Sequence, residues 1–175
     1  MGFTNLIIEQ TSKTPQIDLN RYTGHLIFSG KSTPENADKL YGPVLRWAEQ
    51  YVEDPMPFTH LKLDLEYFNT ASALWLSKII NVLGLIEKPD SVLMVHLFMP
   101  VEDFENLRDF DDIRDTFIPV ADIYRGSVTS LCMKLCAKDD SGSIVRETFV
   151  FFDAEESVNS SVSQEYLSGK YSVAG

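Results

Sequence analysis

Along Phe58 to Tyr67, apolar and polar residues alternate with a period of two. Leu61, Leu63 and Leu65 fall on one side, and His60, Lys62, Asp64 and Glu66 on the other. Such alternation predicts a strand with one face against a core and one more polar face. It leads into Asn69-Thr70 and then a long apolar segment that predicts a helix from about Ala71 to Glu87, closed by Lys88-Pro89-Asp90. Ala71, Ala73, Leu74, Trp75, Leu76, Ile79, Ile80, Val82, Leu83, Leu85 and Ile86 cover more than one side of it; Ser77, Lys78, Asn81 and Glu87 form a polar edge. A surface helix ordinarily shows a single apolar stripe. Either the helix is buried between the sheet and a neighbour, or part of it is an exposed apolar patch that binds a partner.

The same reading places strands at Asn5–Glu9, Gln16–Leu19 and His25–Ser29, the last ending at Gly30. Their short connections predict an antiparallel meander. Ser32-Thr33-Pro34-Glu35 reads as a helix start, with a hydroxyl cap and Pro34 at the first helical position. That helix runs to about Glu53, with Gly42-Pro43 expected to kink it near Leu40 and Asp54-Pro55-Met56-Pro57 ending it. Ser91–Met99 reads as an apolar central strand, parallel to the one before it through a right-handed crossover. One or two short helices are expected within Pro100–Phe117 and a strand at Ile118–Tyr124. Val128–Lys138 and Ser143–Phe152 read as a hairpin about Asp139-Asp140-Ser141-Gly142. The fold class is α/β of the two-layer α+β kind: a mixed β-sheet with helices mainly on one face, plus an extra C-terminal β-hairpin. The expected organisation is a main domain over 1–127, a hairpin over 128–152 packed on it, and a flexible tail over 153–175.

A length of 175 residues suits one domain with a real core. The net charge of −11 argues against a nucleic-acid partner, which would call for a basic patch. Cys132 and Cys136 lie four apart in a strand segment. Four strand residues span roughly 13 Å, against a disulfide limit of about 7 Å between Cα atoms. The two do not pair with each other, and a reduced compartment is the simpler reading. No signal-peptide pattern and no apolar run long enough for a membrane span is present, so cytoplasmic localisation without membrane insertion is expected.

Little catalytic chemistry is visible. His25, His60 and His96 lie on different strands without metal-ligand spacing, and read as structural or surface residues. The acidic residues Glu102, Asp103, Glu105, Asp109, Asp111 and Asp112 lack the calcium-loop pattern and read as a solvated face. Neither a phosphate-binding Gly-rich loop nor a nucleophile elbow occurs. A non-enzyme without a cofactor or metal follows. The informative group is the Thr70 hydroxyl at a helix start. It suits a plain cap, because Asn and Thr oxygens accept the free N–H groups there. It also suits phosphorylation, because a phosphate would face those N–H groups and the positive end of the dipole. Both readings are open on the residues alone.

Four phrases carry a resemblance: Thr11-Ser12-Lys13-Thr14-Pro15-Gln16-Ile17; Gly24-His25-Leu26-Ile27-Phe28-Ser29-Gly30-Lys31-Ser32-Thr33-Pro34-Glu35-Asn36-Ala37; Tyr41-Gly42-Pro43-Val44-Leu45-Arg46-Trp47; and Leu65-Glu66-Tyr67-Phe68-Asn69-Thr70-Ala71-Ser72. Over roughly residues 5 to 100 the chain resembles the SiaC-type family of bacterial regulatory phosphoproteins. The resemblance implies a fold like that of the anti-sigma-factor antagonists (STAS). It implies a partner switch in which Thr70 is phosphorylated by a protein kinase and dephosphorylated by a metal-dependent phosphatase. In the family's best-understood system the unphosphorylated form activates a diguanylate cyclase and raises cyclic di-GMP. Asn69, Ala71 and Ser72 would then surround the phosphosite, with Glu66, Tyr67, Phe68, Leu74, Trp75 and Lys78 as the partner-binding residues. Ala71, Ala73 and Leu74 replace the serines and basic residue usual after the Asn-Thr step. The competing readings are a constitutive binding or scaffold module and a small-ligand or nucleotide-binding domain.

Overall fold

The computed structural model describes residues 4–86, 91–106 and 130–153. Among these residues seven strands form one sheet in simple sequence order: β1 (Leu6–Ile8), β2 (Gln16–Asn20), β3 (His25–Ser32), β4 (Phe58–Phe68), β5 (Val92–Pro100), β6 (Ser130–Lys138) and β7 (Ile144–Asp153). Among the described residues three helices interrupt them: α1 (Ala37–Tyr51), α2 (Thr70–Leu83) and α3 (Val101–Asn106). β1, β2 and β3 pair antiparallel, as the short connections predicted. β3 through β6 run parallel, and β7 returns antiparallel to β6. The fold is therefore a mixed sheet with helices, of the α+β class.

Inward-facing residues of β2 to β6 build the core: Ile17, Leu19, Leu26, Phe28, Leu61, Leu63, Val95, Leu97, Met133 and Leu135. α1 covers them with Tyr41, Val44, Trp47, Ala48 and Tyr51, and α2 with Leu76, Ile79, Ile80 and Leu83. On the opposite face His60, Lys62 and Asp64 are half-buried, as the alternation in β4 demands. Cys132 and Cys136 both lie on β6, and Cys136 is a buried free thiol.

Several boundaries differ from the expectation. β3 does not stop at Gly30 but continues to Ser32, and Ser32 is not a helix cap. Asn36 caps α1 instead, accepting the Lys39 N–H at 2.9 Å, so Pro34 and Glu35 belong to the loop before the helix. The reason is long-range: Ser32 is held in the sheet by its pairing with Phe68. α1 continues through Pro43, which removes an N–H that would have reached the Lys39 carbonyl. α2 ends at Leu83, short of Glu87. Leu85 N–H bonds to the Val82 carbonyl at 2.9 Å and Ile86 N–H to the Leu83 carbonyl at 3.2 Å. These three-residue steps tighten the chain out of the α-helix and tuck Ile86 into the core. Expected elements at 107–129 and the tail after Asp153 lie outside the described residues.

The pairing of β3 with β4 slips by one residue: Gly30 faces Leu65, and Lys31 faces Tyr67, which leaves Glu66 as the extra residue. Beyond the slip the alternation of β4 stops, and its last three residues, Glu66, Tyr67 and Phe68, are all exposed. At the other end of the same pair, Gly24 has φ +69° and an added Cβ would lie 2.2 Å from the Phe58 carbonyl oxygen. Gly24→Ala should therefore destabilise the fold by more than about 1 kcal/mol, read as a lowered midpoint in chemical denaturation.

Candidate functional site at the start of α2

The end of β4 delivers Asn69 and Thr70 to the rim of the sheet beside the last residue of β3. Asn69 is the cap: its backbone is extended and its side-chain Oδ1 accepts the Ser72 N–H at 2.9 Å. Thr70 is the first residue inside the helix and is exposed. The two roles that the sequence offered to one hydroxyl are thus divided between neighbours. Asn69 satisfies the helix end, and the Thr70 hydroxyl is left to solvent.

Ser72, two residues on, is fully buried. The Ser32 hydroxyl donates to Ser72 Oγ at 2.8 Å, and Ser72 Oγ donates to the Ser32 carbonyl at 3.0 Å. Ser32 Oγ also lies 2.6 Å from the Tyr41 hydroxyl. A serine hydroxyl has one proton, and Ser32 has given its own to Ser72, so Tyr41 must be the donor in that bond. Ser32 carbonyl accepts a further bond from the Asn69 N–H at 3.0 Å. Ser32, Ser72 and Tyr41 are all fully buried, and burial pushes the Tyr41 hydroxyl pKa up. A closed chain of hydroxyls ties the end of β3 to α1 and to both sides of Thr70.

The other predicted site residues gather on the exposed side. Glu66 is exposed and lies 3.7 Å from the Lys31 ammonium. Tyr67 is 59% exposed, Phe68 48% and Leu74 62%. Thr70, Leu74 and Lys78 recur every four residues and are all exposed, so they form one stripe along α2. Trp75 is half-buried beside it, with the Lys78 ammonium 4.6 Å from its ring centre. Ala71 is exposed next to Thr70. The buried residues of α2 make a single stripe, so its surplus of apolar side chains produces an exposed patch next to Thr70.

A second cluster was hidden in the sequence. The three histidines that seemed scattered form a row on neighbouring strands of the face opposite α1 and α2. His25 pairs in register with His60, their ring centres 5.3 Å apart, and His60 Nδ1 lies 3.0 Å from His96 Nε2. Only sheet register brings them together. Among the described residues no three His, Cys, Asp or Glu side chains are placed to hold a metal ion. Burial, followed by the neighbouring His60 and lysines 62 and 134, lowers the His96 pKa to about 4. On the same face Lys134 pairs with Glu147 at 2.7 Å, and Lys138 with Asp64.

The sequence pattern of the SiaC family, described as SiaC family regulatory phosphoprotein, matches residues 8–121. The chain belongs to the SiaC family. Apo-SiaC from Pseudomonas aeruginosa is similar in structure, with a TM-score of 0.54 and 27% identity, over 64% of this chain and 92% of that one. The crystal structure of the diguanylate cyclase SiaD in complex with its activator SiaC, from the same organism, gives a TM-score of 0.54 and 26% identity over 63% of this chain and 90% of that one. An uncharacterized protein of Pseudomonas aeruginosa strain UCBPP-PA14 is 34% identical over 85 residues, which is 49% of this chain and 65% of the relative's length. The family match ends before β6. No described helix is long and apolar enough to cross a membrane.

Two stability outcomes follow. Tyr41→Phe leaves a buried serine acceptor without its donor and should cost about 1–3 kcal/mol; Asn69→Ala should cost about 1 kcal/mol. Both are measured by urea denaturation. His96 takes up protons from 6.5 downward when unfolded but only near 4 when folded. In that window the unfolded state binds more protons, so its contribution is fully present above pH 6.5 and is lost as the pH falls toward 4. His96→Asn should flatten the change in denaturation midpoint between about pH 7 and about pH 5.

Proposed function

We propose that this chain is a non-enzymatic regulatory phosphoprotein that works as a partner switch. Thr70 is phosphorylated by a protein kinase and restored by a metal-dependent phosphatase, and its state controls a signalling partner such as a diguanylate cyclase. The observation that carries this reading is the exposed Thr70 hydroxyl in the first turn of α2, between the anchored Asn69 and Ser72 and beside the exposed Tyr67, Phe68 and Leu74. The family and the SiaD–SiaC complex support the same role.

The physical logic is local. A phosphate on Thr70 adds about −1.5 to −2 charges at neutral pH. It sits at the positive end of the helix dipole, so the fold tolerates it. A partner that covers Tyr67, Phe68, Leu74 and Trp75 in the unmodified state must instead desolvate a dianion, in a surface that already holds Glu66. The unphosphorylated form is therefore the binding form.

Calorimetric titration against the diguanylate cyclase tests this. Thr70→Ala should keep the affinity of the unmodified chain, and Thr70→Asp or phosphorylated Thr70 should weaken it by roughly tenfold or more, equivalent to at least about 1.4 kcal/mol. Equal affinity for all forms, with no phosphate-sized gain in intact mass in cells, would identify a constitutive binding module instead.

A further inference from the structure

The hydroxyl chain around Thr70 constrains how any enzyme can reach it. An active site that binds a linear peptide needs several residues on either side of the acceptor in extended form. Here the preceding residues are β4, paired with β5 as far as Leu63 and with β3 as far as Phe68. Lys31 faces Tyr67 and Ser32 faces Phe68, so the pairing holds up to the residue before the cap. The following residues are no freer: Ser72 is fully buried and bonded to Ser32, and Leu76 is buried one turn later. Extending this segment would break the Ser32–Ser72–Tyr41 chain and strip the cap from α2.

Building on the reading of Thr70 as the phosphoacceptor, we infer that the enzymes acting on it recognise the folded first turn of α2 rather than a linear sequence. Ser32, Tyr41 and Ser72 are positioning residues for that transfer. In the forward step Thr70 Oγ attacks the γ-phosphorus of a nucleoside triphosphate. The new O–P bond forms, the bond to the nucleoside diphosphate breaks, and the hydroxyl proton passes to a base of the kinase. The buried chain fixes the backbone at 69 and 72 and so fixes the direction from which Oγ can be approached. A small misplacement of a reacting atom is costly to transfer rates.

The test compares substrates for the kinase activity in a soluble extract of the cells that make this protein. The extract is supplied with labelled ATP, and mass spectrometry locates the phosphothreonine. The full chain should gain phosphate on Thr70, and a synthetic peptide spanning residues 60–80 should react roughly 100-fold more slowly in kcat/KM. Tyr41→Phe should lower kcat/KM for the full chain by roughly tenfold, mainly through kcat. Tyr51→Phe supplies the control. It removes another fully buried tyrosine hydroxyl, bonded to Thr59 at 2.8 Å, and should leave the rate unchanged. A peptide as reactive as the full chain, or equal losses from Tyr41→Phe and Tyr51→Phe, overturns the inference while leaving the phosphosite standing. Absence of phosphate on both full chain and peptide overturns the reading of Thr70 itself.

Discussion

The start of α2 depends on the need to satisfy buried hydroxyls. Ser32, Ser72 and Tyr41 sit where no water reaches, and a polar group buried there must find a partner or cost free energy. They satisfy one another in a fixed order: Tyr41 gives to Ser32, Ser32 to Ser72, and Ser72 to the Ser32 carbonyl. That carbonyl also takes the Asn69 N–H. With one proton per hydroxyl, the arrangement has little freedom to rearrange, and it locks three elements at one corner of the sheet.

The consequence is a separation of duties over four residues. Asn69 and Ser72 hold the helix to the sheet; Thr70 and Ala71 face outward. An exposed hydroxyl can then sit on a rigid element without carrying any of its stability. The apolar side chains Tyr67, Phe68 and Leu74 extend that outward surface. The one-residue slip opposite Gly30 is part of the same construction, because it sets the phase in which Tyr67 and Phe68 leave the sheet.

Much of the fold was legible in the sequence. Period-two alternation marked β4, a continuous apolar run marked β5, short turns marked the β1–β3 meander, a helix-start phrase before an apolar stripe marked α1, and a long apolar segment after Asn69-Thr70 marked α2. Those signals are local. What was not legible depended on partners far along the chain. Ser32-Thr33-Pro34 has the composition of a helix start, yet Ser32 is claimed by Phe68, Tyr41 and Ser72. Thr70 was visible as a hydroxyl at a helix start, but its division of labour with Asn69 followed only from which oxygen meets the Ser72 N–H. The histidine row was hidden for the same reason: His25, His60 and His96 are neighbours in register and strangers in sequence.

The proposed switch at Thr70 changes a surface and leaves the anchored corner intact. Amide hydrogen exchange in unmodified and Thr70-phosphorylated protein tests it most directly. Equal protection across Ser32, Asn69 and Ser72 to Leu76 in both forms is the predicted result. Loss of protection at the end of β3 and the first turns of α2 on phosphorylation would contradict the account, since the switch would then work by undoing the hydroxyl chain.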